Sequence, residues 1–274
     1  MDARSWLVCL LLAVSVSASL KIGAFNIKRL SENTLQSHPG RLDILVKILS
    51  RYDIAAIEEV MDTDGIKDIL HALNSHGGGP YALELSGRLG STRYKEHYAF
   101  IYRTDRVSVR QVYQYPDPRD YLDREPYSVL FHTSHAAIHD FAIAAVHVKP
   151  REAMSEIDHL VTIYNSLKSH FGNENILFAG DFNGDCHYLS QTALHKNHLY
   201  TDGRFHWLIP STADTTVSTH TNCAYDRFVV AGSAFMGAIV SGSAKAFNYQ
   251  KAYHMNFNQA WDVSDHYPIE LELR

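Results

Sequence analysis

The chain has 274 residues, 46% hydrophobic and 11% aromatic, enough to bury a real core and to exclude an intrinsically disordered protein. Lys and Arg number 25 against 30 Asp and Glu, a formal net charge of −5. That balance excludes binding of nucleic acid by bulk charge, so any polyanion handled here needs a local basic patch or bound cations.

Residues 1–19 read as a secretory signal. Arg4 precedes an apolar run over 6–16, too short to span a bilayer, and Ser17, Ala18 and Ser19 are small, as a cleavage site requires. Secretion to the extracellular space is expected, leaving residues 20–274 as a single catalytic domain. No later segment has the apolar length to cross a membrane, so none is expected to associate with one. Cys9 leaves with the signal, and Cys186 and Cys223 remain. In an oxidising compartment they are expected to pair; the alternative is two buried thiols.

From residue 20 the pattern alternates between strands and helices. Residues 20–27 read as a strand, and Leu42, Leu45, Ile48 and Leu49 follow at helical spacing. A short apolar run over 54–60 is a second strand, and 63–73 a helix. Residues 98–102, 107–113 and 127–133 alternate as strands. An apolar strand covers 141–148. Ile157, Leu160, Val161, Tyr164, Leu167 and Phe171 then mark a long amphipathic helix. Further strands are expected at 175–182, 226–231 and 268–273. No linker divides them. Two strand–helix–strand units, over 20–60 and 141–183, suggest two similar halves that bring Asn26, Glu59, His147, Asp181 and Asn183 to one rim.

The chemistry sits in short segments: Ala24-Phe25-Asn26-Ile27, Ile57-Glu58-Glu59-Val60, Tyr94-Lys95-Glu96-His97-Tyr98, Val146-His147-Val148, Gly180-Asp181-Phe182-Asn183, Ala224-Tyr225-Asp226-Arg227 and Ser264-Asp265-His266-Tyr267-Pro268. A carboxylate buried at a strand end needs a partner or a metal. Oxygen donors of this kind suit hard cations such as Mg²⁺, Ca²⁺ or Mn²⁺, whereas zinc would call for paired cysteines or a His-Glu-x-x-His helix. Taken singly, each segment also has a structural reading: Asp181-Phe182-Asn183 as an Asx turn, Asp226-Arg227 as a local ion pair, His147 as a hydrogen-bonded core histidine. Their joint occurrence along the whole chain favours a site.

Those segments, with Cys223-Ala-Tyr-Asp-Arg-Phe-Val-Val-Ala-Gly, Ser50-Arg-Tyr-Asp-Ile-Ala, Arg124-Glu-Pro and Phe205-His-Trp-Leu-Ile-Pro, resemble the deoxyribonuclease I family over residues 20–273. The resemblance implies a four-layer α/β sandwich of the endonuclease/exonuclease/phosphatase type, two packed mixed β-sheets flanked by helices. It implies endonucleolytic hydrolysis of DNA with low sequence specificity, dependent on Mg²⁺ and Ca²⁺, leaving 5′-phosphates. His147 and His266 match the family's acid–base pair, with Glu96 and Asp226 as their orienting carboxylates. Asn26, Glu59, Asp181, Asn183 and Asp265 match the groups around the metal and scissile phosphate. Arg124, Tyr94 and Lys28 match substrate contacts, and Asp214 with Thr216 matches a structural Ca²⁺ loop.

The sequence departs from that pattern in places. Met61 stands where the best-known member has a minor-groove arginine, and Ser91 and Thr92 where it has arginine and asparagine. Tyr115-Pro-Asp-Pro-Arg-Asp replaces a small second disulfide, which puts a second Ca²⁺ site near Asp120 in question. Around Leu83 and Leu85 the actin-contacting pattern is altered, so actin binding is not expected. DNA is the expected partner, with no stable protein partner and a monomeric chain. Two other readings stay open: a phosphodiesterase or phosphatase of the same superfamily acting on a phospholipid or phosphorylated small molecule, and a non-catalytic binding protein on the same scaffold.

Overall fold

The computed structural model describes residues 19–75 and 78–274, so the expected signal segment, Ser19 apart, lies outside the described residues. In chain order the strands are β1 (Leu20–Leu30), β2 (Ile54–Val60), β3 (Tyr81–Leu85), β4 (His97–Arg103), β5 (Val107–Gln114), β6 (Tyr127–Thr133), β7 (Asp140–His147), β8 (Ile176–Asp181), β9 (His206–Trp207), β10 (Asp226–Ala231), β11 (Lys245–Ala246) and β12 (Ile269–Leu273). They form two six-stranded sheets, ordered β11-β12-β1-β2-β4-β3 and β5-β6-β7-β8-β10-β9. The main helices are α1 (Glu32–Ser37), α2 (Arg41–Leu49), α3 (Thr63–Ser75) and α4 (Ala153–Phe171).

Period-two alternation makes the layers. Ile22, Ala24, Ile54, Ala56, Tyr98 and Phe100 of the first sheet share one buried cluster with Ile143, Ala145, Leu177, Ala179, Phe228 and Val230 of the second. The intervening residues face outward onto helices. Phe25, Ile57 and Ile101 meet Leu45, Ile48, Ile66 and Ile69 of α2 and α3, and Ala144 and Phe178 meet Ile157, Leu160 and Leu167 of α4. Helix, sheet, sheet, helix is thus the four-layer order. Burying each large apolar side chain contributes about 1.5–3 kcal/mol.

The two strand–helix–strand units come out as the parallel pairs β1/β2 and β7/β8, one at the heart of each sheet. α4 closes at Gly172, whose φ of 61° is the left-handed conformation that ends helices most cheaply at glycine. Strand β3 and the two-residue strands β9 and β11 join the sheets in addition to the strands expected from the sequence. β1 continues to Leu30, past the expected end, because its pairing with β2 shifts register between Asn26 and Leu30. Cys186 and Cys223 form the expected disulfide, with Cα atoms 5.9 Å apart and 37 residues of separation.

Candidate active site

The alternation that fills the inter-sheet core also points at the site. The next residue of the same parity is Asn26 on β1, Glu58 on β2, His147 on β7 and Asp181 on β8. On the antiparallel β4 and β10 it is Glu96, just before β4 begins, and Asp226. Strand directions bring all six to one rim of the sandwich. The apolar core therefore ends in a layer of polar side chains.

Two histidine–carboxylate pairs dominate that layer. His147 Nδ1 lies 2.7 Å from Glu96 Oε1, and His266 Nδ1 lies 2.8 Å from Asp226 Oδ2. Each contact fixes which ring nitrogen carries the proton and leaves Nε2 facing the cleft. The two Nε2 atoms then converge on a single oxygen, Asp181 Oδ2, at 3.6 Å from His147 and 3.7 Å from His266. Backbone contacts hold the rings in place. The His147 amide donates to the Tyr98 hydroxyl at 2.8 Å, and the His266 amide donates to Ser264 Oγ at 3.0 Å.

Electrostatics follow from burial and pairing. Burial alone would lower both imidazoles, but the Glu96 carboxylate outweighs it at His147 and raises that ring. At His266 the Asp226 and Asp181 charges outweigh burial and push the ring well above its ordinary value. Burial would raise Glu96, but the His147 and Arg124 charges hold it below the usual carboxylate range. Asp181 is raised by its burial, against the pull of the two histidines.

Glu59 sits on left-handed backbone, and Asn26 is the last residue in register before the shift in β1. Glu59 has φ of 60°, which turns its side chain out of the strand alternation and into the rim. Asn26 Nδ2 donates to Glu59 Oε1 at 3.2 Å and to Asp181 Oδ2 at 3.3 Å. Tyr94 donates its hydroxyl to Glu59 Oε2 at 3.0 Å, and burial, with the Glu59 charge, raises its pKa. Asn183 is buried beside Asp181, its amide N–H donating to Asp181 Oδ1 at 2.9 Å. Gly180 is required just before Asp181: its φ is 134°, and a Cβ there would fall 2.2 Å from the Val146 carbonyl oxygen and 2.4 Å from Glu58 Oε1.

The rim opens into a cleft of about 440 Å³ lined by Lys28, Arg29, Glu59, Tyr94, Arg124, His147, Pro150 and Asp265. All three expected substrate contacts are in that lining. Arg124 is largely buried, donating to the His147 carbonyl at 3.0 Å and to Asp123 at 2.8 Å. Glu156 ties that loop to the strand end by accepting from the Asp123 and Lys149 amides, both at 3.0 Å. Lys28 is folded back: its Nζ donates to the Trp261 carbonyl at 2.7 Å and lies 4.0 Å from the centre of that indole ring. Ser91, a departure from the family pattern, bonds Asp123. Asp214 and Thr216 lie beside the His266 pair. Thr216 forms a β-bridge with His266, and its amide and hydroxyl both donate to Asp214 Oδ1, at 3.1 and 3.0 Å. Thr215 Oγ1 accepts from the Asp226 amide at 3.1 Å, so this loop braces both members of the pair.

Among the described residues no three His, Cys, Asp or Glu side chains form a ready metal cage. The Glu59 and Asp181 carboxylates do converge, bridged by the Asn26 Nδ2 that donates to both. That pair of carboxylates fits Mg²⁺, which keeps several of its waters and takes only one or two protein carboxylates.

Sequence reasoning missed Glu58. It is fully buried, and neither of its oxygens has a hydrogen-bond partner. Burial, then the Asp226, Asp181 and Glu96 charges, push it well above the ordinary carboxylate range. Its parity with Ile54 and Ala56 was the available signal.

The model of the Endonuclease/Exonuclease/phosphatase family matches residues 23–266. Deoxyribonuclease-1 of Mus musculus is 42% identical, the match covering 98% of this chain and 96% of that protein. Deoxyribonuclease gamma of Homo sapiens is 39% identical, over 98% of this chain and 90% of that protein. Among solved structures, humanized D. rerio TDP2 superimposes with a TM-score of 0.65 at 15% identity, covering 94% of this chain and all of that one (100%). A Bacteroides thetaiotaomicron mannosyl-6-phosphatase gives a TM-score of 0.61 at 15% identity, over 93% and 99%. At such identities the structural neighbours show the fold alone.

Proposed function

The chain belongs to the Endonuclease/Exonuclease/phosphatase family, and from that premise we propose that its rim cleft hydrolyses DNA by paired histidine catalysis with a bound divalent cation. It is a deoxyribonuclease, as its full-length relatives are. The observation that carries the mechanism is the convergence of two carboxylate-backed imidazoles on Asp181 Oδ2, at 3.6 and 3.7 Å. A phosphodiester seated there has one imidazole on each side of phosphorus. One Nε2 takes a proton from the attacking water. The other returns a proton to the departing 3′ oxygen, which leaves a 5′-phosphate. Glu96 and Asp226 hold the tautomers and stabilise each ring when it is charged.

Asn26, Glu59, Asp181, Asn183 and Asp265 are the groups proposed to meet the cation and the phosphate oxygens. A bound Mg²⁺, or Mn²⁺ in its place, would neutralise charge developing on those oxygens. Arg124, Tyr94 and Lys28 are proposed to seat the strand. Minor-groove contacts of that kind read sequence poorly, which gives low specificity. Asp214 and Thr216 are proposed to hold Ca²⁺, which would stiffen the loop bracing Asp226 and His266. Secretion after loss of residues 1–19, one catalytic domain over 20–274 and a monomeric state complete the reading.

Separate His147→Ala and His266→Ala variants test it. Each is expected to lose about 10²–10⁴-fold in kcat while the fold survives. Near-wild-type cleavage by either folded variant would remove that histidine from the mechanism.

A further inference from the structure

Arg41 is the first residue of α2 and is almost fully buried. A cation at a helix N-terminus opposes the helix dipole, and removing it from water has a further cost. Burial, the largest influence, holds this guanidinium below its ordinary value. Helix stability therefore does not account for it; its contacts do. Nη2 donates to the carbonyl oxygens of Ile27 and Lys28, each at 2.7 Å.

Those two carbonyls belong to the bulge where β1 loses register with β2. Lys28 and Arg29 there have φ of 54° and 49°, a left-handed pair at two residues that carry side chains. Such backbone persists only where the surroundings hold it. The bulge in turn aims the site. The Lys28 amide donates to Asn26 Oδ1 at 3.1 Å, and the Arg29 amide donates to Glu59 Oε2 at 3.0 Å. We propose that Arg41 is a positioning residue: by clamping the carbonyls of Ile27 and Lys28 from behind, it fixes the bulge whose amides orient Asn26 and Glu59 toward the cation and phosphate. It acts through the backbone. The Lys28 side chain is anchored independently on Trp261, so the effect falls on cation binding and turnover more than on DNA affinity.

The inference rests on the deoxyribonuclease reading, and the test separates the two. Arg41→Met keeps the apolar stem and removes the donor; Arg41→Lys restores a charged donor. We expect Arg41→Met to lose about 10–100-fold in kcat and in Mn²⁺ affinity of the DNA-free protein, the latter followed by water-proton relaxation. KM for plasmid DNA should stay within about twofold, and Arg41→Lys should recover part of both losses. If Arg41→Met does not fold, Arg41→Gln, too short to reach both carbonyls, takes its place with the same expected losses. A folded variant with wild-type kcat and Mn²⁺ affinity would overturn the clamp, as would a lowered Tm with both quantities intact below it. A wild-type chain that binds Mn²⁺ and cuts no DNA would overturn the deoxyribonuclease reading alone, and the Mn²⁺ affinities would still decide the clamp.

Discussion

Replacing Glu96 with Gln removes one charge and almost no volume from the His147 pair. The wild-type contact is a 2.7 Å bond between two buried groups. Charge-assisted bonds of this kind contribute about 1.5–3 kcal/mol. If that stabilisation of the imidazolium is lost in the transition state, kcat falls about 10- to 150-fold at 1.36 kcal/mol per decade. The amide adds a second fault. Turned so that its oxygen accepts from His147 Nδ1, it places its NH₂ where Glu96 Oε2 is now, a buried atom with no hydrogen-bond partner. Turned the other way, it donates to Nδ1 and forces the proton onto Nε2, reversing the tautomer that Glu96 holds. A wrong tautomer in an analogous histidine–carboxylate pair costs up to about 10⁴-fold. The expected result is a kcat loss of about 10²–10⁴-fold in plasmid nicking with KM little changed. Because Glu96 raises His147, the limb of the pH–rate profile that reports this ring should also move to lower pH. A folded Glu96→Gln protein with wild-type kcat and an unmoved profile would refute the pairing as a catalytic device.

Glu58→Gln should fold and should grow more stable than wild type as pH rises. The folded carboxyl titrates above its unfolded value, so its contribution is complete below the ordinary carboxylate range and lost as pH climbs through the raised value. Every pH unit climbed between the unfolded and the folded value costs the wild type about 1.4 kcal/mol that the amide does not lose, worth about 2–4 °C of Tm per kcal/mol in a domain of this size. Melting curves in EDTA across pH check this, and a Tm difference independent of pH would count against it. Reduction of Cys186–Cys223, whose partners are 37 residues apart, removes about 3–4 kcal/mol in the chain-entropy account. A Tm drop on the order of 10 °C is expected, and an unchanged melting curve would show that the bridge does not stabilise the fold.

Much of this fold was legible because strands buried on both faces read as short, near-continuous apolar runs, as over 141–148, 175–182 and 226–231. Strands β6 and β10 coincide with the expected segments, and β7 and β8 differ by a residue at their ends. β3 was missed because its outer residues, among them Glu84, are only half-buried and the apolar signal is diluted. The two-residue strands β9 and β11 have no length over which a period could show. In the site, the histidines and their carboxylates were legible from the segments that carry them. Glu58 was not, since two adjacent glutamates look like a solvated loop. Only the left-handed φ of Glu59 separates them, sending one into the core and the other to the rim. Arg41 escaped for a different reason. Its role lies in two carbonyl oxygens, and side-chain chemistry in a sequence says nothing of where carbonyls point. The fold of Lys28 onto Trp261 joins segments 233 residues apart and has no local signature.

The most direct test of the central claim is plasmid nicking by the purified 20–274 chain, with Mg²⁺ and Ca²⁺ and again in excess EDTA, beside a phospholipid and a sugar phosphate as competing substrates. The account predicts nicks bearing 5′-phosphates, abolished by the chelator, and no turnover of the other two. A folded, metal-loaded chain that leaves the plasmid intact while hydrolysing the lipid or the sugar phosphate would contradict it.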